Sequence, residues 1–581
     1  MMLKQIFKYV GEFKKESIRA VTTVVAEVAL EMSIPLLMAL VIDRGVMLVD
    51  RQNILLFGSL MILAALIALA LGIRSGRNSA IASAGLAKNL RQVMFHKVQD
   101  FSQENMDEFS RSSLVSRLTT DVTNVQMMYQ MAILRLLVRA PLMVLVSFIM
   151  VLFMNVSLAF IFLLAIPPLG FIMFIFITKA HHLYKLIFKH YDTINNVVSE
   201  NLNAIRVVKA NATTHTEIKK FHRITQTLYT DFVKAESLLA INMPVAQVVI
   251  YACILMISFF GARLVVGGNL QTGQLMSILT YTFQMLMGTM LLSFGVTLYV
   301  GARPAMSRVL EVIKAPITLA DPENGLENVK NGSIQFQNVY FNYHNDEKMV
   351  LENINLTIPS GTTVGIIGAS GASKTTLVNL LSRLYDVTAG TVKIAGEDVK
   401  NYDLKALRSA VSVVLQKNVL FSGSIRENLL FANAHGTDAD LRQACEIAGI
   451  MGFIETLPAG FDTLVDELGT NLSGGQKQRL CIARALLPRP KVLILDDSTS
   501  AVDVVTEAKI FEGFSQFNHE ATVIIISARI ASIKDMDMIV VSDEHQIDAV
   551  GSHDELLTSS ALYRQIYEMQ QEMEVDQTYE K

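Results

Sequence analysis

The sequence predicts a multi-domain protein, in which an all-α domain of six membrane-spanning helices precedes a soluble α/β domain. Hydrophobic residues make up 51% of the 581 residues, which is above the average for soluble proteins. This excess lies almost entirely before Arg303. After Arg303, short apolar strands alternate with helical segments, which is typical of an α/β domain.

The first half divides into spans because a membrane-spanning helix needs about 20 apolar residues. Two uncharged runs, Ala140–Thr178 and Leu264–Ala302, are about twice that length, so each must contain a turn. The polar segments Asn155–Ser157 and Gly267–Asn269 supply these turns. The predicted helices are about 20–43, 53–75, 137–154, 157–178, 240–263 and 272–302.

Lys and Arg predict the orientation and the remaining boundaries. They are frequent in the long segments 74–139 and 179–236 and rare in the short loops, so these segments, both termini and the second half are expected in the cytoplasm. Both long segments look helical, with turns near 108–116 and 210–216. The predicted protein is therefore a multi-pass protein of the cell membrane. Its expected parts are an interfacial helix at 1–18, a transmembrane domain at 19–315, a linker at 316–332, a nucleotide-binding domain at 333–575 and a tail at 576–581.

Glu27 and Glu31 lie inside the first predicted span, where carboxylates are rare. One interpretation is a contact with a cation or a substrate. The other is a helix that continues into a water-facing cavity. The basic, amphipathic segment before this span is predicted to lie on the membrane surface, with a frayed terminus as the alternative.

A phosphate-binding loop is predicted after the short apolar strand Thr363–Gly368. The loop reads Gly-Ala-Ser-Gly-Ala-Ser-Lys-Thr from Gly368, and a helix is expected from Thr376. This strand–loop–helix order follows the pattern G-x-x-x-x-G-K-[ST], in which the lysine reaches the β- and γ-phosphates and the last hydroxyl holds Mg²⁺. Ser373 occupies the position of the second glycine, where a Cβ is expected to crowd the phosphates or to strain the backbone. The predicted ATP-binding residues here are Gly368, Ser370, Gly371, Ser373, Lys374, Thr375 and Thr376.

Two further segments carry chemistry. A buried strand from Lys491 ends in Asp496, suited to holding Mg²⁺ through water, and in Asp497, where a general base would lie. The segment Leu472-Ser473-Gly474-Gly475-Gln476 opens a second helix whose N-terminus favours anions. Two such helix ends are redundant for one nucleotide. They are explained if two cassettes face each other, each nucleotide lying between one loop and the opposite helix end.

LSGGQKQR, together with the phosphate loop and LILDD, resembles the ATP-binding cassette (ABC) superfamily. Six spans followed by a cassette resemble its half-size multidrug and lipid exporters of the type IV fold. The segments FSRSSLVSRLTTDV and ENLNAIRVVKA are similar to the intracellular loops of the bacterial multidrug branch.

The resemblance implies individual roles. Tyr343 would stack on adenine, and Gln416 would sense Mg²⁺ and the membrane domain. Ser473 and Gly475 would contact the γ-phosphate bound by the partner chain, and Asp503 matches the D-loop. The implied cofactors are ATP and Mg²⁺.

Three positions depart from the family pattern. Besides Ser373, Asp497 replaces the catalytic glutamate and Ala528 replaces the switch histidine, whereas the signature helix is intact. This combination predicts the degenerate half of a heterodimer whose partner is a second half-transporter with a competent site. The alternatives are a self-sufficient homodimer and a regulatory or gated membrane protein that binds ATP without turnover.

The expected substrate is a hydrophobic small molecule, and the other expected contacts are membrane lipids. Met285, Met287, Met290, Phe283 and Phe294 suit an adaptable drug pocket, although methionine and phenylalanine also serve as packing. The net charge of −3 gives no reason to expect nucleic-acid binding.

Overall fold

The computed structural model describes residues 2–343, 348–369, 371–497, 510, 513 and 520–579. The chain forms two compact units. One comprises Met1–Gln99 and Arg111–Ala315, and the other comprises Asp100–Ser110 and Pro316–Lys581.

The first unit is helical. Its α-helices are α1 (Met2–Ile6), α2 (Lys14–Leu40), α3 (Arg51–Gln99), α5 (Arg111–Ser116), α6 (Val122–Met127), α7 (Leu137–Met154), α8 (Val156–Asn203), α9 (Ile205–Ala210), α10 (Thr214–Ala240), α11 (Asn242–Val266) and α12 (Thr272–Lys314), while α4 (Gln103–Glu108) belongs to the second unit. A 3₁₀ segment, Phe7–Phe13, precedes α2, and π-helical turns at Val41–Val46, Arg117–Asp121 and Met128–Leu136 adjoin the α-helices.

Five helical stretches within the described residues are long and apolar enough to cross a membrane: Met2–Val46, Arg51–Gln99, Arg111–Met154, Gln247–Val266 and Thr272–Lys314. The predicted fourth span, 157–178, lies in α8, where many side chains are outside the described residues. The 49 residues of α3 extend for about 74 Å. Because the hydrocarbon core is about 30 Å thick, this helix continues far beyond it.

The N-terminal bend differs from the expected boundary. The sequence predicts an interfacial helix up to residue 18, but α2 begins at Lys14, and the bend is at Gly11. Gly11 has φ 54° and ψ −124°, a conformation that residues with a Cβ rarely adopt. The side chain of Asn89 donates a hydrogen bond to the Tyr9 carbonyl at 3.0 Å, which fixes the bend against α3.

The second unit contains the α/β domain. Its strands are β1 (Ile334–Phe341), β2 (Leu351–Ile358), β3 (Thr363–Gly368), β4 (Ala389–Ile394), β5 (Glu397–Asp398), β6 (Val411–Val414), β7 (Gly423–Ser424), β8 (Leu464–Val465), β9 (Val492–Asp496), β10 (Thr522–Ile526), β11 (Met538–Asp543) and β12 (Gln546–Gly551). Its further helices are α13 (Lys374–Leu381), α14 (Leu404–Ala410), α15 (Ile425–Leu430), α16 (Asp438–Ile447), α17 (Met451–Thr456), α18 (Gly474–Leu486), α19 (His553–Ser559) and α20 (Ala561–Tyr579).

The order of the main sheet, β12-β11-β3-β10-β9-β6, positions the candidate site. All pairings are parallel except β11 with β12. Every residue of β9 and β10 is buried, as expected for central parallel strands covered on both faces. Since only β10 separates β3 from β9, the loop after β3 and the carboxylates after β9 meet at the same edge. Ligands bind at such carboxyl ends in open α/β sheets.

Candidate nucleotide-binding site

The phosphate loop needs glycine at two positions for different reasons. A Cβ on Gly368 would lie 2.0 Å from the Ser542 carbonyl oxygen, so a side chain does not fit there. Gly371 has φ +90°, which favours glycine. Ser370 lies outside the described residues. Helix α13 begins at Lys374, two residues before the predicted start at Thr376.

Ser373 adopts the left-handed conformation, with φ 56° and ψ 20°, immediately before α13. This conformation costs a residue with a Cβ about 1 kcal/mol relative to glycine. Strain at Ser373 is one of the two effects that the sequence predicts for the missing glycine. The loop nevertheless keeps a glycine-like backbone with serine in place.

We expect the chain to bind ATP despite Ser373, because the helix end and Lys374 remain. Photolabelling with 8-azido-ATP measures this. Ser373→Gly should label with equal or up to several-fold higher affinity, since it removes strain of about 1 kcal/mol. Lys374→Ala is the control and should lose most labelling. Wild-type labelling no stronger than Lys374→Ala at millimolar nucleotide would show that the loop does not bind ATP.

The Lys374 ammonium is held by its own loop. Its Nζ donates to the carbonyls of Gly368 and Ala369 at 2.9 and 2.7 Å. Burial lowers the pKa of Lys374, and the nearby carboxylates Asp496 and Asp497 oppose this shift. A phosphate bound on the loop would give the partly buried cation a charged partner in place of neutral carbonyls.

Thr375 and Asp496 form the candidate Mg²⁺ site. The Thr375 hydroxyl donates to Asp496 Oδ1 at 3.2 Å, and Asp496 is buried at the end of β9. Burial raises the pKa of the Asp496 carboxyl, and Asp497 adds to this increase. A hydroxyl and a carboxylate are the oxygen ligands that Mg²⁺ prefers, with nucleotide phosphates completing the set. These residues therefore fit the ion.

Gln416, the residue predicted to sense Mg²⁺, lies beside Asp497. Its Nε2 donates to Asp497 Oδ2 at 3.4 Å. Asp497 itself has φ 46°, a left-handed conformation that aspartate tolerates better than most residues. The structure thus brings the two predicted residues together at the same edge as Asp496.

Ala528 offers no side-chain donor at the switch position. Its backbone carbonyl accepts a hydrogen bond from Gln570 Nε2 of α20 at 2.8 Å. The Gln570 Oε1 atom in turn accepts from the Ile530 amide at 2.9 Å. Sequence reasoning missed Gln570, because no motif marks a glutamine that lies 42 residues away.

Tyr343, predicted to stack on adenine, lies in an aromatic cluster. Its hydroxyl is 2.9 Å from Thr376 Oγ1. Its ring is edge-on to Phe341 and Tyr385, with centroids 4.8 and 5.1 Å away. The stacking role remains a prediction.

Tyr385 is a second residue that the sequence reasoning missed. Its hydroxyl donates to Asp107 Oδ2 of α4 at 2.6 Å. Burial, followed by this carboxylate, raises the pKa of Tyr385. The sequence predicts a turn near 108–116, and the structure places the turn helix at Gln103–Glu108, within the same unit as the cassette. Asn105 adds to this packing, since its Nδ2 donates to the Pro316 carbonyl at 3.1 Å.

The signature segment is an intact helix start. Ser473 caps α18: its Oγ accepts from the Gln476 amide at 3.3 Å, and its own amide donates to Gln476 Oε1 at 2.8 Å. Leu472 packs against the core, and a Cβ on Gly474 would meet nothing within 4 Å. Ser473 and Gly474 therefore leave the N-terminus of α18 open, an end that favours anions, and Gly475 is the second residue of this helix. Asp503 lies outside the described residues.

Comparison with known proteins identifies the family. Residues 18–290 match the ABC transporter transmembrane region, and residues 351–500 match the ABC transporter family model. The uncharacterized ABC transporter ATP-binding protein YfiB of Bacillus subtilis is 34% identical over 95% of this chain and 96% of its own. YheI of the same organism, named a probable multidrug resistance ABC transporter ATP-binding/permease protein, is 29% identical over 84% of this chain and 83% of its own.

A solved structure shares the fold. It is described as a bacterial Atm1-family ABC exporter with ATP bound, and it superposes with a TM-score of 0.84 at 24% identity, over 96% of this chain and 98% of its own. This similarity confirms the predicted fold class, a helical transmembrane domain followed by an α/β nucleotide-binding domain. The chain belongs to the ABC transporter family, as a half-size member with the fold of the Atm1-type exporters.

Proposed function

We propose that this chain is the degenerate-site subunit of a heterodimeric ABC exporter that moves hydrophobic or amphipathic compounds out of the cytoplasm or the inner leaflet. The observation that carries the proposal is the contrast between its two nucleotide-binding surfaces. Asp497 has a shorter side chain than the glutamate of the family pattern and Ala528 has no side-chain donor, whereas the signature helix is formed with its cap in place. The similarity to YheI, a probable multidrug resistance ABC transporter, supports the drug-like substrate class.

Asp497 is poorly suited to orient an attacking water. Aspartate is one methylene shorter than glutamate, so its carboxylate falls about 1 Å short, and a misplacement of that size can cost about a hundredfold in rate. Its backbone is fixed by a hydrogen bond from its amide to the Ile526 carbonyl at 3.1 Å. Because its backbone is held in this way, Asp497 has little freedom to shift toward the nucleotide and compensate for its shorter side chain.

Ala528 removes a donor that would stabilise charge on the γ-phosphate. Stabilisation of this kind is often the largest catalytic contribution of a site. The loop after β10 is held to α20 through the carbonyl of Ala528 and the amide of Ile530. Its backbone is thus anchored while its side chain contributes no hydrogen bond.

In this proposal ATP and Mg²⁺ bind at the phosphate loop, with Thr375, Asp496 and Gln416 on the metal side. The signature of this chain completes the competent site of the partner. Both termini and the cassette lie in the cytoplasm, and the helical unit lies in the cell membrane. A homodimeric exporter is the alternative assembly. A second candidate function is that of a regulatory or gated membrane protein. Asp497 and Ala528 favour it, because both changes are expected to slow ATP hydrolysis and not to prevent ATP binding.

Two measurements test the proposal. Native mass spectrometry of the complex purified from its own membranes through a tag on this chain should show one 64.3 kDa subunit and one different ABC half-transporter. A complex of two identical subunits would contradict the heterodimer.

Everted vesicles should accumulate a hydrophobic dye only with hydrolysable ATP. Efficient ATP hydrolysis without dye uptake would contradict the export function, and ATP binding without turnover in the whole complex would support the regulatory protein.

Restoring Asp497→Glu and Ala528→His together should raise hydrolysis at this site only modestly, by no more than about tenfold. Ser373 still strains the phosphate loop, and the signature of the partner is expected to be altered. Because such groups act as a unit, repairing part of the set recovers little. The measurement is ATPase activity in a heterodimer whose partner lacks its catalytic glutamate. A rise to the level of the unmodified heterodimer would show that these two residues alone cause the weakness.

A further inference from the structure

The two glutamates of the first span share one arginine. Arg139 of α7 donates to Glu27 Oε1 at 2.6 Å, and its other terminal nitrogen contacts both oxygens of Glu31, at 2.8 and 2.6 Å. Within the described residues, no other Lys, Arg or His nitrogen lies within 4 Å of either carboxylate. The sequence alone leaves the role of the glutamates open and carries no signal for Arg139.

The resulting triad carries one uncompensated negative charge when both glutamates are ionised. Two carboxylates give −2 and one guanidinium gives +1, so the sum is −1. The side chains of Glu27, Arg139 and Glu31 are only 10%, 25% and 30% exposed. A net charge in such surroundings is costly, because the partly buried ions lose hydration that a single guanidinium does not fully replace. A cation that binds here would remove this cost.

One carboxylate oxygen of the triad has no hydrogen-bond partner among the described residues. This atom is Glu27 Oε2, which is buried. The carboxylate packs closely against Gly72 of α3, where a Cβ would lie 3.2 Å from Glu27 Oε1 and 3.6 Å from Oε2. One turn along α2, Pro35 lacks the amide that would ordinarily donate to the Glu31 carbonyl. An unpaired carboxylate oxygen and a carbonyl without its helical donor therefore belong to the same stretch of helix.

The residues around the triad favour an organic cation over an inorganic one. The buried neighbours on α2 and α7 are the apolar residues Val24, Val28, Met32 and Met143, and Leu142 and Leu291 pack against them. An inorganic ion would have to lose its water without a full set of oxygen ligands, and no cluster of metal-binding side chains occurs among the described residues. An organic cation can place its apolar groups against these side chains and its charge against the carboxylates.

We propose that Glu27, Glu31 and Arg139 form a recognition site for lipophilic monocations, such as protonated amines or quaternary onium compounds. This assignment rests on the proposed function and specifies the substrate class of the exporter. Glu31, the more exposed carboxylate, meets the cation first, and Glu27 Oε2 lies deeper. Arg139 holds both carboxylates in place and limits the net charge to −1, so a monovalent ligand neutralises the site.

The depth of the triad suits a compound that enters from the inner leaflet. Glu27 precedes Asp43 by 16 residues, or about 24 Å of helix. Asp43 marks the far end, where its carboxylate accepts from the amides of Gly273 and Gln274 at 2.6 and 3.2 Å. With a hydrocarbon core of about 30 Å and the proposed orientation, the triad lies in the cytoplasmic half of the membrane.

The test is equilibrium binding of tetraphenylphosphonium to the full complex in lipid nanodiscs without ATP, with empty nanodiscs as the blank. Tetraphenylborate, an anion of nearly the same shape, is the ligand control. We expect Glu27→Gln to weaken tetraphenylphosphonium binding at least about tenfold, since it removes one charge from a buried site. Glu27→Asp, which keeps the charge, should retain most of the affinity. Glu311→Gln is the matched control, because Glu311 also pairs with an arginine, Arg117 at 2.8 Å, outside the triad.

Equal affinity of wild type and Glu27→Gln for tetraphenylphosphonium would overturn the proposal and leave the triad as a structural ion cluster. If Glu27→Gln does not fold, the affinities of the wild type for the two ions provide the test. The proposal requires the wild type to bind tetraphenylphosphonium far more tightly than tetraphenylborate. Similar affinities for both ions would overturn the proposal. Because binding is measured without ATP, it does not depend on the exporter function: tight binding without ATP-driven uptake would contradict the proposed function alone.

Discussion

Gly475→Glu in this chain is expected to reduce the ATPase activity of the heterodimer at least about a hundredfold, whereas Asp497→Asn should change it less than about twofold. The signature helix of this chain faces the competent site of the partner in our proposal. A carboxylate in the first turn of α18 would repel the γ-phosphate that this helix end is expected to contact. In the same proposal Asp497 serves the weak site, so its loss is expected to remove little turnover.

Ser473→Ala provides a milder version of the same comparison. It removes the hydroxyl that accepts from the Gln476 amide, and a lost cap costs about 1 kcal/mol of stability. It also removes the expected contact with the γ-phosphate. We expect a loss between those of Gly475→Glu and Asp497→Asn. Equal losses from the signature and Asp497 variants would show that both sites hydrolyse ATP.

The purified chain without its partner is expected to hydrolyse ATP at least about a hundredfold more slowly than a competent ABC exporter. The short carboxylate of Asp497 alone accounts for about two orders of magnitude, and Ala528 removes a further donor. The measurement is phosphate release from the chain in nanodiscs, with Lys374→Ala giving the background. Turnover comparable to a competent exporter would contradict the degenerate-site account and favour a homodimer.

Local chemistry explains which parts of the site the sequence predicts well. The phosphate loop, the strand that ends in Asp496 and the capped signature helix each lie within about ten consecutive residues, so their geometry follows from neighbouring residues. The strain predicted at Ser373 appears as φ 56°. The predicted start of α13 at Thr376 is wrong by two residues, because Lys374 and Thr375 already adopt helical conformation after the left-handed turn.

Contacts between distant segments could not be predicted in this way. Arg139 is 108 and 112 residues from its two glutamates, and Tyr385 is 278 residues from Asp107. Such pairs depend on how whole helices and strands pack, and a single sequence carries no periodic signal for them. The bend at Gly11 was missed for a related reason, since it depends on Asn89 of α3.

The fate of nucleotide bound at this chain tests the central claim most directly. The heterodimer is incubated with Mg²⁺ and 8-azido-ATP labelled on the α-phosphate, crosslinked after several turnovers, and separated into its subunits. The nucleotide on each subunit is then identified. We predict mainly triphosphate on this chain and mainly diphosphate on the partner. Mainly diphosphate on this chain, formed as fast as on the partner, would contradict the account, because it would show that Asp497 and Ala528 support hydrolysis.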